Sequence, residues 1–162
     1  MKKYYFTKKG LKKLQDEIEA LTKKLTGLQA QTAHVAEVGG DQYHDNSSYE
    51  MLVIDIRGID HRISMAYQCL NRAVVVETPT SVEKVAIGTL VTILRDGGEV
   101  TWEIAGFGES DPVRKIIAYN TPLAAMLIGR RKGDIVEGIV AGKQAEIEIL
   151  NIILGGENEN QK

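Results

Sequence analysis

Asp41 and Asp45 are the residues of this 162-residue chain best placed to do chemistry. They stand four apart, with His44 between them and Glu37 and Glu50 on either side. Carboxylates are hard oxygen donors. Two of them give Mg²⁺ one or two ligands, and the ion then keeps several waters and takes other anionic groups to complete its shell. Such a pair is an incomplete metal site. It gains a use when inserted into another protein's active site that already holds metal and phosphates. The same two residues also suit a turn and a helix N-cap, and the residues alone leave both readings open. His44 reads as a surface histidine. Other constellations are few. His34, His44 and His61 are too scattered for a compact zinc motif, and the single Cys69 excludes an intramolecular disulfide or a CxxC pair. Neither Gly39-Gly40 nor Gly97-Gly98 opens a GxxxxGK[ST] phosphate loop. Arg130-Arg131-Lys132 reads as a solvated basic turn, and no Ser/His/Asp arrangement is evident.

The elements that must position the two aspartates are helical. Leu11, Leu14, Ile18, Leu21, Leu25 and Leu28 are spaced 3,4,3,4,3, the seam of a coiled coil, and the register continues through Thr32 and Val35. Thr7 is a plausible N-cap and Gly39-Gly40 a stop. Tyr49, Leu52, Ile56, Ile59, Ile63, Ala66 and Leu70 form a second run, spaced 3,4,3,4,3,4, with Asp45 able to cap it. Pairing Val35 with Tyr49 gives position numbers summing to 84, and so do Leu25 with Ile59 and Leu14 with Leu70. Every seam position from Leu14 to Val35 meets a seam position of the other run about a centre at residue 42. This predicts an antiparallel two-helix hairpin, projecting as an arm, with the acids at its turn. Met51, Val53 and Ile54 lie off the seam, where a neighbour or a partner protein can cover them.

After Leu70 the pattern changes to short strands. Val74-Val75-Val76 is β-branched, and Thr78-Pro79-Thr80 reads as a linker. Strands are expected over 90–94 and 99–105, joined by Asp96-Gly97-Gly98, then over 115–119, 135–140 and 145–154. Thr121 caps a short helix with Pro122 at its first position and Gly129 as its stop. The fold class is therefore α+β: an antiparallel coiled coil over 1–77 with an acidic tip at about 39–46, and a β-rich domain over 78–154 built on a curved antiparallel sheet with one short helix. The polar tail 155–162 is expected to be disordered.

Composition narrows the class further. Hydrophobic residues make up 43% and charged residues 26%, which excludes collagen-like and wholly disordered chains. A net charge of -2 excludes a binder of nucleic acid over its whole surface. That balance hides a polarity, however. Residues 1–24 carry eight lysines against three acids, net +5, and residues 33–60 carry six acids against Arg57, net -5. On the hairpin this puts lysines toward the base and carboxylates toward the tip. No apolar run approaches the roughly 20 residues that span a membrane, and no signal peptide is read, so a cytoplasmic setting is expected.

Several motifs, in order along nearly the whole chain, resemble the bacterial GreA/GreB family of transcript cleavage factors. Gly40-Asp41-Gln42-Tyr43-His44-Asp45-Asn46-Ser47-Ser48-Tyr49 resembles the family's G-D-L-x-E-N-A-x-Y. Residues 56–63 resemble its second coiled-coil helix, especially in the GreB form. Ile87-Gly88-Thr89-Leu90-Val91 matches its opening C-terminal strand. Tyr119-Asn120-Thr121-Pro122-Leu123-Ala124 resembles x-N-S-P-[LIM]-A, and Leu127-Ile128-Gly129 with Lys132-Gly133-Asp134 resembles L-I-G-K-x-x-G-D.

The resemblance implies an FKBP-like C-terminal domain that docks on RNA polymerase through Asn120, Thr121 and Pro122. It implies a coiled coil passed down the polymerase's secondary channel. It also implies that Asp41 and Asp45 help hold a second Mg²⁺ shared with the polymerase, with Gly40, Asn46, Ser47 and Tyr49 supporting the tip. The chain would bind no metal alone and would not be an enzyme; it would stimulate the polymerase's own cleavage of backtracked transcripts. Contact with nascent RNA would be indirect, contact with DNA is not indicated, no membrane is involved, and a monomer is expected. Two departures mark the tip: the second acid is Asp45 where the family has Glu, and the acids are four apart instead of three. Ser47-Ser48 also replaces a small-then-acidic pair. The alternatives are a related factor that occupies the channel and inhibits without cleavage, a prolyl isomerase or chaperone using Trp102, Phe107 and Tyr119, and a plain coiled-coil adaptor.

Overall fold

The computed structural model describes residues 2–38 and 47–155. These divide into two compact units, residues 11–73 and residues 2–10 together with 74–155. The boundary expected near residue 77 thus falls at residue 73, and the first ten residues group with the C-terminal unit.

The helical unit follows the heptad spacing closely. Helix α1 spans Lys8–Val38 and α2 spans Ser47–Leu70. At about 1.5 Å per residue, α1 is roughly 46 Å long. Every seam residue from Leu11 to Val35 and from Tyr49 to Leu70 is buried or half-buried. Between residues 11 and 35, every position off the seam is exposed; on α2 only Val53 and Cys69 join the seam. Ile18, Leu21 and Ile59 are the most deeply buried. A single narrow stripe faces inward because a 3,4 repeat tracks one side of a helix. Glu17 and Arg62 bridge the two helices at 3.1 Å. Thr22, Thr26 and Thr32 each donate their hydroxyl to the carbonyl four residues back, so these side chains satisfy themselves without leaving the helix. Among the described residues no helix is long and apolar enough to cross a membrane.

The other unit holds a two-stranded sheet of β1 (Tyr4–Phe6) and β2 (Ala73–Val75), and a five-stranded sheet. The latter contains β3 (Thr89–Arg95), β4 (Gly98–Ala105), β5 (Ile116–Ala118), β6 (Ile135–Val140) and β7 (Lys143–Leu154) in the order β5-β4-β3-β7-β6. Its inward residues alternate along each strand. Val91, Ile93, Ile104, Ile147 and Ile149 are fully buried, and helix α3 (Pro122–Leu127) closes the core with Leu123, Ala124 and Leu127. The β3–β4 turn is the expected two-residue type: Asp96 has φ 54° and Gly97 φ 77°, the left-handed pair that matches strand twist.

Two features depart from the expected antiparallel sheet. Strand β5 pairs with β4 in parallel, Glu103 with Ile116 through Ala105 with Ala118, because residues 106–115 carry the chain back before it pairs again. Strand β1 was not expected at all; Tyr4-Tyr5-Phe6 finds its partner almost 70 residues later, with the Val76 N–H donating to the Phe6 carbonyl at 2.8 Å. A bulge at Thr92/Ile93 shifts the β3–β7 register.

Candidate functional site

Gly40, Asp41, Asp45 and Asn46, the core of the sequence-predicted tip, lie outside the described residues. What the structure describes is the helix end that follows them. Ser47 opens α2 and is exposed. Tyr49, the first seam position of α2, is half-buried. Its place on the seam ties the start of α2 to the same stripe that holds the whole hairpin. Glu50 lies in the first turn, where a negative charge is favoured by the exposed N–H groups and the helix dipole. Among the described residues no group of three or more His, Cys, Asp or Glu is arranged to hold a metal.

The second predicted site, Asn120, Thr121 and Pro122, is built on the entry to α3. The Thr121 hydroxyl donates to the Ala118 carbonyl at 2.9 Å and accepts from the Ala124 N–H at 3.4 Å. Its backbone is extended, φ -73° and ψ 151°, and Pro122 stands at the first helical position, where its missing N–H would have no intrahelical partner. Leu123 and Ala124 go straight into the core. Asn120 and Pro122 are therefore exposed on a loop whose neighbours leave it little freedom. Tyr119, just before, donates its N–H to the Ala105 carbonyl at 2.9 Å and packs edge-on to Tyr5 with ring centroids 5.6 Å apart. The loop presents one small apolar face and one amide on a rigid mount, an arrangement suited to docking on a protein surface.

Sequence reasoning missed Glu109. Its Oε2 accepts the Thr7 hydroxyl at 2.8 Å and its Oε1 the Thr7 N–H at 3.1 Å. The same Thr7 hydroxyl oxygen accepts the Gly10 N–H at 2.9 Å, which is the expected N-cap. A carboxylate 102 residues away thus completes the start of α1, and negative charge there suits the helix dipole. A Cβ at Gly10 would overlap that carboxylate, and one at Gly106 would come 2.8 Å from the Thr7 nitrogen. The only sequence signal was a Gly-rich loop, Gly106-Phe107-Gly108-Glu109, of unassigned purpose.

The aromatic residues considered for an isomerase pocket are engaged separately. Phe107 packs against Tyr4 and Phe6 at 4.4 and 5.8 Å, and Trp102 lies under the Lys115 ammonium at 5.2 Å. Tyr119 is with Tyr5.

Comparison with known proteins decides the family. Residues 79–153 match the family model described as "Transcription elongation factor, GreA/GreB, C-term". The transcription elongation factor GreA of Clostridium perfringens strain SM101 is 32% identical, over 93% of this chain and 97% of its own length. The chain belongs to the GreA/GreB family. GreA of Geobacillus kaustophilus is 30% identical over the same shares of the two chains. The crystal structure of GreA factor homolog 1 (Gfh1) of Thermus thermophilus matches 94% of this chain and 99% of its own, with 22% identity and a TM-score of 0.45. In the GreA/GreB frame, the family-model match takes in all five strands of the larger sheet up to Ile153, together with α3 and the loop at 120–122.

Proposed function

We propose that this chain is a transcription elongation factor that binds RNA polymerase, passes its coiled coil into the secondary channel and stimulates the polymerase's own cleavage of backtracked transcripts. The observation that carries this reading is the hairpin seam. All its described positions face inward, so the two helices act as one stiff arm, and Asp41 and Asp45 lie between them in the sequence. Family membership supplies the partner. The exposed Asn120 and Pro122, mounted on a capped helix start, supply the docking contact.

The division of labour follows from the chemistry. Two carboxylates are donors that Mg²⁺ accepts, but they leave its octahedral shell incomplete, so the ion would be shared with the polymerase. Such an ion would supply an acidified water and charge neutralisation at the scissile phosphate. The chain itself contributes the two carboxylates and the rigid reach that delivers them. It is a stimulator and not an enzyme. A tight arm matters because displacement by an ångström can lower such reactions about a hundredfold.

A second reading has a specific observation in its favour. Asp45 is one methylene shorter than the family's Glu, and the acids are one residue further apart. Under this reading the arm occupies the channel and slows transcription without cleavage. Purified polymerase stalled in backtracked complexes separates the two. Shortened RNA on adding the factor supports cleavage stimulation; slowed elongation with no shortened RNA selects the second reading.

A further inference from the structure

The five-stranded sheet buries one face under α3, and on its other face the edge strand leaves large apolar side chains exposed among the described residues. On edge strand β6 the residues alternate: Val136 and Val140 are buried, while Ile135 and Ile139 are 61% and 65% exposed. Ile153, beyond the part of β7 that β6 covers, is 42% exposed and pairs with Leu90 of β3 instead. Two large apolar side chains so exposed on one face of an edge strand, Ile135 and Ile139, mark an interaction surface. Glu137 stands between Ile135 and Ile139 on β6, and Gln144 lies opposite Ile139. Glu137 of β6 lies directly opposite Glu146 of β7, and Glu148 lies opposite Ile135. Like charges directly opposite on a sheet repel, so this pairing weakens the isolated domain. Two more glutamates, Glu99 and Glu103 of β4, occupy outward positions of the same face. None of the five is in an ion pair among the described residues, and no Lys or Arg occupies an outward position of β3, β4, β6 or β7. Its charged groups are all acidic, and none is neutralised among the described residues.

We propose that this outer face, centred on Ile135, Glu137 and Ile139, docks a lysine- or arginine-rich segment of a partner protein that also carries apolar side chains. Charge chooses the occupant. Nucleic acid and anionic lipid surfaces carry the same sign as the five glutamates and are repelled. A second copy meeting this face with its own would oppose five carboxylates to five. A bound cation is not favoured, since among the described residues no three carboxylates converge. A basic polypeptide satisfies both components: its cations relieve the Glu137–Glu146 repulsion, and its apolar residues cover the isoleucines.

The test uses the full chain in 0.15 M salt and an 18-residue helical peptide of leucine and lysine, with a leucine–glutamate peptide as control. Amide shifts in a nitrogen–proton NMR titration should concentrate on β6, β7 and Leu94 for the lysine peptide and be absent for the control. Glu137→Lys with Glu146→Lys should weaken binding about tenfold or more, the loss expected for removing close charge pairs. Ile139→Ser should weaken it several-fold with an unchanged fold by NMR, which separates lost contact from lost structure. Shifts that fall on the acidic residues 47–60, or spread evenly, would overturn the proposal. So would reversal variants that bind like the wild type, which would leave Glu137 as protection of an open edge only. Self-association through the face in sedimentation, abolished by Ile139→Ser, would overturn it in favour of a second copy.

Discussion

The two units of this chain hold themselves together by different means. Among the described residues of the hairpin, only Ile18, Leu21 and Ile59 are buried; the rest of the seam is half-covered because two helices cannot enclose a stripe. In the β unit, strands from opposite ends of its sequence converge on Val91, Ile93, Ile104, Ile147 and Ile149, none of which keeps any exposed surface. One unit repeats a weak local contact many times. The other depends on a few deep, non-local ones. The difference suits the proposed function, in which the arm must be long and the β unit stiff. It also teaches where damage stays local.

The largest effect is therefore expected in the sheet. Ile147→Ala should lower the unfolding free energy by about 4 kcal/mol, since a fully enclosed site cannot collapse around the lost methyl groups. Ile59→Ala should cost about 2 kcal/mol, because its helix pair can close partly around the gap. Urea titration gives the totals, and hydrogen exchange gives their location. Faster exchange confined to residues 11–73 for Ile59→Ala supports the comparison; equal loss of protection in both units would break it.

Next in size is the carboxylate at the start of α1. Thr7→Ala should cost about 1 kcal/mol as a lost N-cap, and Glu109→Ala should cost about 1–2 kcal/mol by leaving Thr7 without its partner. A double-mutant cycle should show coupling of about 1 kcal/mol. Additive losses would mean that the two act independently.

Much of the hairpin was legible because its information is periodic: Leu11 through Val35 and Tyr49 through Leu70 need only their own spacing to declare a shared face. The Asp96-Gly97 turn was legible for a similar reason, as two residue types tolerant of positive φ sit side by side. The β6–β7 turn was not. It uses Ala141 at φ 53° before Gly142 at φ 77°, and alanine gives no signal for a left-handed backbone. Strand β1, the parallel β4–β5 pairing and Glu109 were hidden by distance: each depends on a partner that spacing along the chain does not specify. The candidate docking loop at 120–122 could be read because a Thr-Pro helix start has its own local chemistry. The tip aspartates could be read only as residue types, since the line between turn residue and metal ligand is drawn by a partner.

Smaller effects sharpen these points. Ala141→Asn should raise stability by about 0.5 kcal/mol, as asparagine tolerates the left-handed region better than alanine. A thermal melt checks it, and a lower midpoint would contradict the turn assignment. On the arm, the Asp16 hydrogen bond, then its charge, raises the Lys12 pKa above 10.5. The folded value is the higher one, so the pair's small contribution is complete below 10.5 and fades as pH rises through the raised value. The difference between wild type and Lys12→Ala should be slight near neutral pH and vanish at the alkaline end of a pH series; a difference that grows there would reverse the sign.

The central claim is that binding and activity reside in separate places, the loop at 120–122 and the carboxylates at 41 and 45. It is tested most directly by measuring polymerase affinity and backtracked-RNA cleavage together for two variants. Asp41→Ala with Asp45→Ala should keep wild-type affinity and lose cleavage. Asn120→Ala with Pro122→Ala should lose affinity, and should regain cleavage as the factor concentration is raised. Loss of affinity in the first variant, or undiminished affinity in the second, would contradict the account.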